Sequence, residues 1–301
     1  MSAIEIPTGN AAPGRGGAAA VLAGTHRVRR HVPLTVVIPG AFLAIVILAA
    51  IFAPLVAPYG PTTGSISERL MAVGSPGHLL GTDGQGRDIL SRLIWGARPT
   101  LLEGILPVVV AGVIGTVLGV VASLSGRKVH TLIMRTLDVL YSFPAVLLAI
   151  ALAAALGAGV VNAIVALTIV LIAPIARVAE TEVARMRSSD FMEAARASGA
   201  SWPRIARRQV LPIIAPVLLV YCTALVGLAI VFAGGLSFLG LGIAPPHPEW
   251  GSMLNELDQD LYNQPVLALI PAAMIFVTSV AFNVLGDGLR DLLDIHSETV
   301  S

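Results

Sequence analysis

The chain is short of the residues from which many functional sites are built. Its 301 residues include one cysteine and one lysine, and aromatic residues make up 5% of it. A single cysteine cannot form a disulfide within the chain, and Cys222 lies in an apolar run where a small buried side chain is expected. The one lysine, Lys128, lacks the spaced glycines and the following serine or threonine of a Walker A loop. The sequence therefore excludes an ATPase site within this chain.

Charge is scarce as well, since charged residues make up 12% and the net charge is +1. No basic run is interleaved with aromatic residues, so the sequence offers no surface for nucleic acid. The six histidines are scattered without metal-ligand spacing, and no H-E-x-x-H motif occurs. Ser237 misses the spacing of a nucleophile elbow, because Leu239 stands where glycine is needed. We predict no catalytic, metal-binding or cofactor-binding residue.

Apolar sequence is what the chain has in excess, at 55% of its residues. It recurs in runs of about 20 residues, each long enough to cross a hydrocarbon core of about 30 Å. Six spans are predicted, near Leu34–Ala53, Leu101–Leu124, Val139–Leu156, Val160–Ile175, Ile213–Phe232 and Val266–Leu285. The third and fourth are separated by three residues from Gly157 to Gly159, which predicts a hairpin. The fold class is an all-α polytopic membrane protein with both termini on one side.

The distribution of arginine and lysine predicts the orientation, because positive loops resist translocation. The N-terminal tail and the second and fourth connections are rich in arginine, and we place them in the cytoplasm. The last connection carries acidic residues and no arginine or lysine, as an exported loop does. The loop over 57–98 departs from this charge rule, because it contains four arginines, Arg69, Arg87, Arg92 and Arg98. An even number of spans still places this loop on the outer side of a plasma (inner) membrane and both termini on its cytoplasmic side.

The chain divides into four predicted regions. Residues 1–32 are rich in glycine, alanine and proline and predict a disordered cytoplasmic tail. Residues 33–98 hold the first span and an extracytoplasmic loop, whose apolar positions between Ile89 and Ala97 predict a short interfacial helix. Residues 99–289 hold the other five spans and a cytoplasmic loop over 180–212, and residues 290–301 form a cytoplasmic tail.

The loop before the fifth span has the pattern of two capped short helices. Asp190 is placed to cap the first helix, with Glu193 completing a capping box. Gly199 suits the left-handed conformation that stops a helix, Ser201 is placed to cap a second one, and Pro212 ends it. Such a unit is either a lever that seats small side chains in a partner's groove, or a solvated connector whose arginines only set the orientation.

Residues 193–199 (EAARASG) resemble the coupling loop of ABC-importer permease subunits. Three further blocks narrow the resemblance to the dipeptide, oligopeptide and nickel permease family, in the subunit type that pairs with a second permease. They are residues 78–101 (HLLGTDGQGRDILSRLIWGARPTL), 236–254 (LSFLGLGIAPPHPEWGSML) and 282–294 (FNVLGDGLRDLLD). The similarity runs from the first span to the last.

The resemblance implies a six-helix permease of the type I ABC importers, with a coupling helix between helices 4 and 5. It implies a second homologous permease, two cytoplasmic ATPase subunits that bind ATP and Mg²⁺, an extracytoplasmic solute-binding protein, and di- or oligopeptides as cargo. It also implies which residues couple to an ATPase subunit: Glu193, Ala194, Ala195, Gly199, Ile205, Leu211 and Pro212.

The pathway is expected to be weakly polar, with Asn162, Tyr221 and Thr223 as candidate lining residues. The alternative function is an ion-coupled secondary transporter or channel, which would place ionisable residues deep in the membrane. Glu103 is a candidate for such a role, but we expect an interfacial side chain that reaches water.

Two further contacts are expected from the sequence. Gly115 and Gly119 form a G-x-x-x-G pair that permits close helix approach, with the second permease as the suggested neighbour. The loop over 236–251 is expected to be an outer gate or receptor-facing surface, or else an interfacial loop with Trp250 at the lipid headgroups.

Overall fold

Helices make up most of the fold. A computed structural model describes residues 33–298; the predicted tail over 1–32 and residues 299–301 lie outside this range. The α-helices are α1 (Leu34–Ile51), α2 (Ala53–Val56), α3 (Ile89–Leu124), α4 (Arg127–Tyr141), α5 (Ala145–Leu156), α6 (Val160–Met186), α7 (Asp190–Ala197), α8 (Trp202–Ile205), α9 (Leu211–Phe238), α10 (Trp250–Asp258) and α11 (Pro265–Glu298). A 3₁₀ turn covers Ile66–Glu68 and a π-helical segment covers Ala206–Val210. Between residues 33 and 298 the only β pairing is three isolated bridges.

Five helical runs are long and apolar enough to cross a membrane. They are α1, α3, α6, the continuous run from α8 through α9, and α11. The predicted third span differs, because α4 and α5 meet at a bend of 89°. Twelve-residue α5 is only about 18 Å long, too short to span alone. Pro144 explains the break, since it lacks an amide hydrogen and disfavours helix in the residue before it.

The short interfacial helix predicted between Ile89 and Ala97 is instead the beginning of the 36-residue helix α3. Asp88 caps this helix, and its Oδ2 accepts the backbone amide of Ser91 at 2.8 Å. The side chains of Ser91 and Arg92, which a helix at the membrane surface would turn to water, are buried at no more than 1% exposure. Their hydrogen bonds to acidic side chains satisfy the buried polar groups. The prediction of a separate surface helix is wrong.

Helices α3 and α6 approach closely along the G-x-x-x-G pair. A Cβ added at Gly115 would lie 2.9 Å from the carbonyl oxygen of Ile172, and one at Gly119 would lie 2.4 Å from that of Ala176. Both neighbouring residues belong to α6 of this chain. The motif indicated close approach correctly, but the suggested contact with a second permease is wrong.

The outer loop and α10 are joined by buried ion pairs. Arg87 and Arg92 are 4% and 1% exposed, and both pair with Asp83. The Nη1 of Arg92 also lies 2.7 Å from Glu256 Oε2 on α10, and Arg87 bonds the same oxygen. Removal of one partner from such a network leaves an uncompensated buried charge, so the four residues hold the two segments together.

The two remaining arginines of this loop have partners too. Arg69 Nη2 lies 3.9 Å from Asp260 Oδ1, and Arg98 Nη2 donates to the carbonyl oxygen of Ile51 at 2.8 Å, at the C-terminal end of α1. A cation is favoured there by the helix dipole and the unpaired carbonyls. All four arginines that depart from the orientation rule therefore have partners within the protein. Their charge is then no argument for placing this loop in the cytoplasm.

Candidate coupling site and transport pathway

Helix α7 begins one residue earlier than its predicted cap implies. Asp190 is the first helical residue, so the cap position falls on Ser189. The carbonyl oxygen of Ser189 accepts the amides of Met192 at 3.0 Å and Glu193 at 3.2 Å. Asp190 and Glu193 still lie in the first turn, where carboxylates are stabilised by the positive end of the helix dipole. The acidic start of α7 is thus confirmed, with the cap shifted by one residue.

The end of α7 is formed by glycine as predicted. Gly199 has φ +75°, and the amide of Ala200 donates to the carbonyl oxygen of Ala195 at 3.1 Å. This is the long hydrogen bond of a Schellman motif, with Gly199 at the left-handed position. No atom lies within 4 Å of a Cβ placed there, so glycine is required for its conformation rather than for space. Ser201 stands before α8 as predicted, but its side chain makes no capping hydrogen bond.

The second short helix does not end at Pro212. Helix α8, the π-helical segment and α9 form one continuous run, Trp202–Phe238. Pro212 has no amide hydrogen, and its ring would crowd the carbonyl four residues earlier in a regular α-helix. The wider π-helical turn over Ala206–Val210 directly precedes it and relieves that crowding. The coupling loop is therefore joined to the fifth span by helix, as a transmitting element requires.

The predicted coupling residues divide into two groups. Ala195 and Ile205 are 7% and 1% exposed and pack into the main hydrophobic core, together with Met192. They attach the loop to the helix bundle and are not available to a partner. The remaining five are exposed: Glu193, Ala194, Gly199, Leu211 and Pro212. Helix α7 thus buries one face on the bundle and turns Glu193 and Ala194 outward.

Basic side chains flank α7 in the sequence. Arg187 precedes the helix, and Arg204, Arg207 and Arg208 follow it; all four are exposed. The guanidinium of Arg185 is paired with Glu182 at 2.7 Å. A partner groove that accepts this unit is expected to have an acidic rim, because complementary charge favours encounter and register.

The three candidate pathway residues do not come together. Asn162 donates from Nδ2 to the carbonyl oxygens of Leu156 and Gly157, so it stabilises the hairpin between α5 and α6. The hydroxyl of Thr223 donates to the carbonyl oxygen of Leu219 on its own helix. Tyr221 alone lines a cavity. Asn162 and Thr223 therefore make local structural contacts, and the pathway role of all three residues stays a prediction.

The cavity beside Tyr221 lies at the break between α4 and α5 and has a volume of about 340 Å³. Its aromatic lining is Tyr141, Phe143, Tyr221 and Phe232. At its edge the guanidinium of Arg177 bonds Asp138 and lies 5.6 Å from the ring centroid of Tyr141.

These cavity residues were missed from the sequence. Tyr141 and Phe143 flank a helix break that was predicted as continuous span. The available signal was Pro144, which follows two aromatic residues within an otherwise aliphatic run. A proline that opens a helix beside a cavity marks a candidate pathway element more directly than isolated polar residues do.

Glu103 lies in α3 and differs from expectation. It is 0% exposed, and neither carboxylate oxygen has a hydrogen-bond partner among residues 33–298. The prediction that its side chain reaches water is wrong. Glu249 is fully buried as well. Two buried carboxyls are nevertheless unlike the chains of ionisable side chains that carry protons or ions through secondary transporters.

The outer loop over 236–251 is fixed by Glu249 and Trp250. Trp250 is fully buried and its Nε1 donates to the carbonyl oxygen of Leu93 at 2.9 Å, so the expectation of a headgroup anchor is wrong. Glu249 Oε1 accepts the hydroxyl of Thr100 at 3.0 Å and the amide of Gly251 at 2.8 Å. Burial raises the pKa of Glu249, and the backbone hydrogen bonds oppose the rise. These contacts pin α10 to α3.

Replacement of Glu249 by alanine is expected to destabilise the protein by at least about 2 kcal/mol, because several buried donors lose their acceptor at once. The measurement is thermal unfolding of the purified protein in detergent. Glu249→Gln keeps an acceptor oxygen and should cost less. Asp258→Ala, an exposed acidic position on the same helix, is the matched control and should leave the midpoint unchanged. Equal midpoints for Glu249→Ala and Asp258→Ala would contradict the assignment.

Comparison with known proteins agrees with this architecture. The family model described as "Binding-protein-dependent transport system inner membrane component" matches residues 114–296, more than half of the chain. The chain belongs to this family. A permease protein of the glutathione transport system from Pectobacterium atrosepticum is 41% identical over 267 residues, covering 89% of this chain and 88% of the relative. Its counterpart from Escherichia coli O6:K15:H31 is 42% identical over 266 residues, covering 88% and 87%.

Among solved structures, a chain of the MetNI methionine ABC transporter in inward-facing conformations has a similar fold. The TM-score is 0.54 at 20% identity, over 67% of this chain and 97% of that chain. The resemblance to the peptide and nickel permeases and the type I fold are thereby confirmed. The protein is a non-catalytic, multi-pass inner-membrane permease of an ABC importer, which removes the secondary transporter or channel as its function.

Proposed function

We propose that this permease imports short peptides. The observation that carries the proposal is the 41–42% identity, over nearly nine-tenths of the chain, with relatives named as permeases of glutathione transport. Glutathione is itself a small peptide. The aromatic cavity of about 340 Å³ beside Tyr221 has room for one side chain of such a cargo.

The pathway is shared with a second, homologous permease in this proposal. The short helix α5 and the break before it leave aromatic and aliphatic side chains exposed on one chain, among them Phe143 and Leu147. A second permease would complete the enclosure of a passage that one chain leaves open. An extracytoplasmic solute-binding protein delivers the cargo, and selectivity resides chiefly there because a passage for varied side chains must bind none of them strongly.

Helix α7 couples ATP hydrolysis by the partner subunits to transport. Its exposed face, with Glu193 and Ala194, docks in a groove of a cytoplasmic ATPase subunit, and the two ATPase subunits bind the ATP and Mg²⁺ that this chain does not. Closure of those subunits moves α7, whose buried face and helical connection to α9 pass the movement to the cavity beside Tyr221. Coupling by a docked helix is a rigid-body mechanism, so it depends on the attachment formed by Met192 and Ile205.

The decisive test is cargo uptake into proteoliposomes that hold the full importer and saturating loaded binding protein. Uptake should require ATP on the ATPase side and should ignore imposed ion gradients. Glu193→Ala should lower uptake and binding-protein-stimulated ATP hydrolysis together, by about fivefold, with insertion unchanged. An exposed acidic residue elsewhere, changed as Asp258→Ala, serves as the control. Uptake driven by a gradient in liposomes with this chain alone would contradict the proposal.

A further inference from the structure

The outward side of helix α4 carries a stripe of cationic side chains that has no role in the proposed transport or coupling. Five residues of its first nine surround an open depression of about 640 Å³: Arg127, Lys128, Thr131, Leu132 and Arg135. All five are exposed, and no acidic residue lines the depression. Their spacing of three, four, seven and eight places them on one side of the helix. We call this set the α4 basic stripe.

The opposite side of α4 is committed to the helix bundle. Leu137 is 4% exposed and packs with Ala173 and Ala176 of α6, and Ile133 and Met134 pack against the same cluster. The α4 basic stripe therefore points away from the protein. Within residues 33–298 nothing packs into the depression that it surrounds.

The apolar residues beside the stripe indicate what it meets. Leu132 is 70% exposed and Val139 is 62% exposed, and both lie on the outward side of α4 next to Lys128 and Arg135. Helices that lie at a membrane surface mix cations with exposed aliphatic residues in this way, with the aliphatic groups in the acyl region and the long cationic side chains at the headgroups. Two residues separate the end of α3 at Leu124 from the start of α4, so the first turn of α4 lies near the end of a span.

We propose that the α4 basic stripe binds the phosphate of an anionic phospholipid in the cytoplasmic leaflet. The orientation predicted from arginine and lysine places this connection on the cytoplasmic side, where anionic lipid attracts cations next to the membrane. Three cations around one depression complement a single phosphodiester and leave charge for neighbouring headgroups. The bound lipid holds the first half of the broken α4–α5 element at the membrane surface, close to the cavity beside Tyr221.

The test measures lipid retained by the purified full chain. The chain is placed in nanodiscs of phosphatidylcholine with a minor fraction of phosphatidylglycerol, extracted, and its bound lipids are counted by native mass spectrometry. The parent should be enriched in phosphatidylglycerol. Lys128→Gln and Arg135→Gln should each reduce that enrichment about fivefold, since each cation near the surface contributes on the order of 1 kcal/mol. Arg290→Gln, an exposed arginine outside the stripe, is the matched control.

Each result decides the proposal. Enrichment that falls with Lys128→Gln and Arg135→Gln but not with Arg290→Gln supports it. Absence of enrichment, or equal loss in all three variants, overturns it. Displacement of the lipid by millimolar glycerol phosphate would instead indicate a site for soluble phosphate. Unchanged lipid retention with weakened attachment of the ATPase subunits in the stripe variants would assign the stripe to protein contact. The experiment measures bound lipid and not transport, so a negative result would not bear on the proposal of peptide import.

Discussion

Gly119→Leu is expected to remove most of the folded permease from the membrane. At Gly119 a Cβ would lie 2.4 Å from the carbonyl oxygen of Ala176, 2.7 Å from the Cβ of Ala179 and 2.9 Å from the amide nitrogen of Glu180. These neighbours are backbone atoms and the first side-chain atom of α6, so no rotamer change relieves the overlap. Overpacking a core typically costs 1–3 kcal/mol, and separation of the α3–α6 pair along its length should cost at least about 3 kcal/mol.

The measurement is fluorescence-detected size-exclusion of detergent extracts, where the folded peak should fall about tenfold. Gly112→Ala in the same helix is the matched control, because the nearest atom to its added Cβ is the sulfur of Cys222 at an ordinary 3.5 Å. That variant should retain the parent peak. If Gly119→Leu folds normally in extracts but loses association with the second permease, the G-x-x-x-G pair faces that subunit after all.

The long spans were predictable because each is a self-contained signal. An apolar run of about 20 residues has to satisfy its backbone internally within lipid, and a helix does so without reference to the rest of the chain. The α4–α5 element was not predictable by the same rule. Val139–Leu156 is apolar apart from Ser142, but Pro144 falls inside it and the preceding residues form an amphipathic helix. Hydropathy alone therefore joined two helices that bend by 89°.

The sequence mainly failed to predict contacts between segments that are distant along the chain. Trp250 is an amphipathic residue in the connection between two spans, where tryptophan favours the lipid interface in general. Its partners, Thr100 and the carbonyl of Leu93, lie about 150 residues earlier in the chain, and nothing local to Trp250 reveals them. Arg92 shows the same difficulty, because its pairing with Glu256 joins α3 to α10, which is distant in sequence. The pairing explains why a positively charged loop is compatible with the outer side.

The coupling loop was predicted well where its structure is local. The acidic first turn and the glycine stop of α7 depend on residues within one or two turns, and the structure shifts only the cap, from Asp190 to Ser189. Which face of α7 is buried depends on packing against the bundle. Sequence therefore grouped Ala195 with Glu193 and Ala194, although Ala195 faces the core and the other two face outward.

Gly199→Val is expected to disconnect the permease from its ATPase subunits while leaving it in the membrane. Gly199 has φ +75°, a conformation that costs an ordinary L-residue roughly 1–2 kcal/mol and a β-branched residue more. Relaxation of that strain breaks the hydrogen bond from Ala200 to Ala195 and changes the direction in which the chain leaves α7. Since the change leaves the spans themselves intact, we expect uptake and binding-protein-stimulated ATP hydrolysis to fall about tenfold with normal amounts of inserted protein.

Two variants separate conformation from side-chain bulk. Gly199→Asn should retain most of the activity, because asparagine enters the left-handed region at lower cost. Gly126→Val adds the same valine at another exposed glycine with open space around its Cβ but with φ −69°, and it should behave as the parent does. Equal losses in Gly199→Val and Gly199→Asn would mean that the partner requires a bare surface at this position. Full activity of Gly199→Val would show that the direction of the chain after α7 does not matter for coupling.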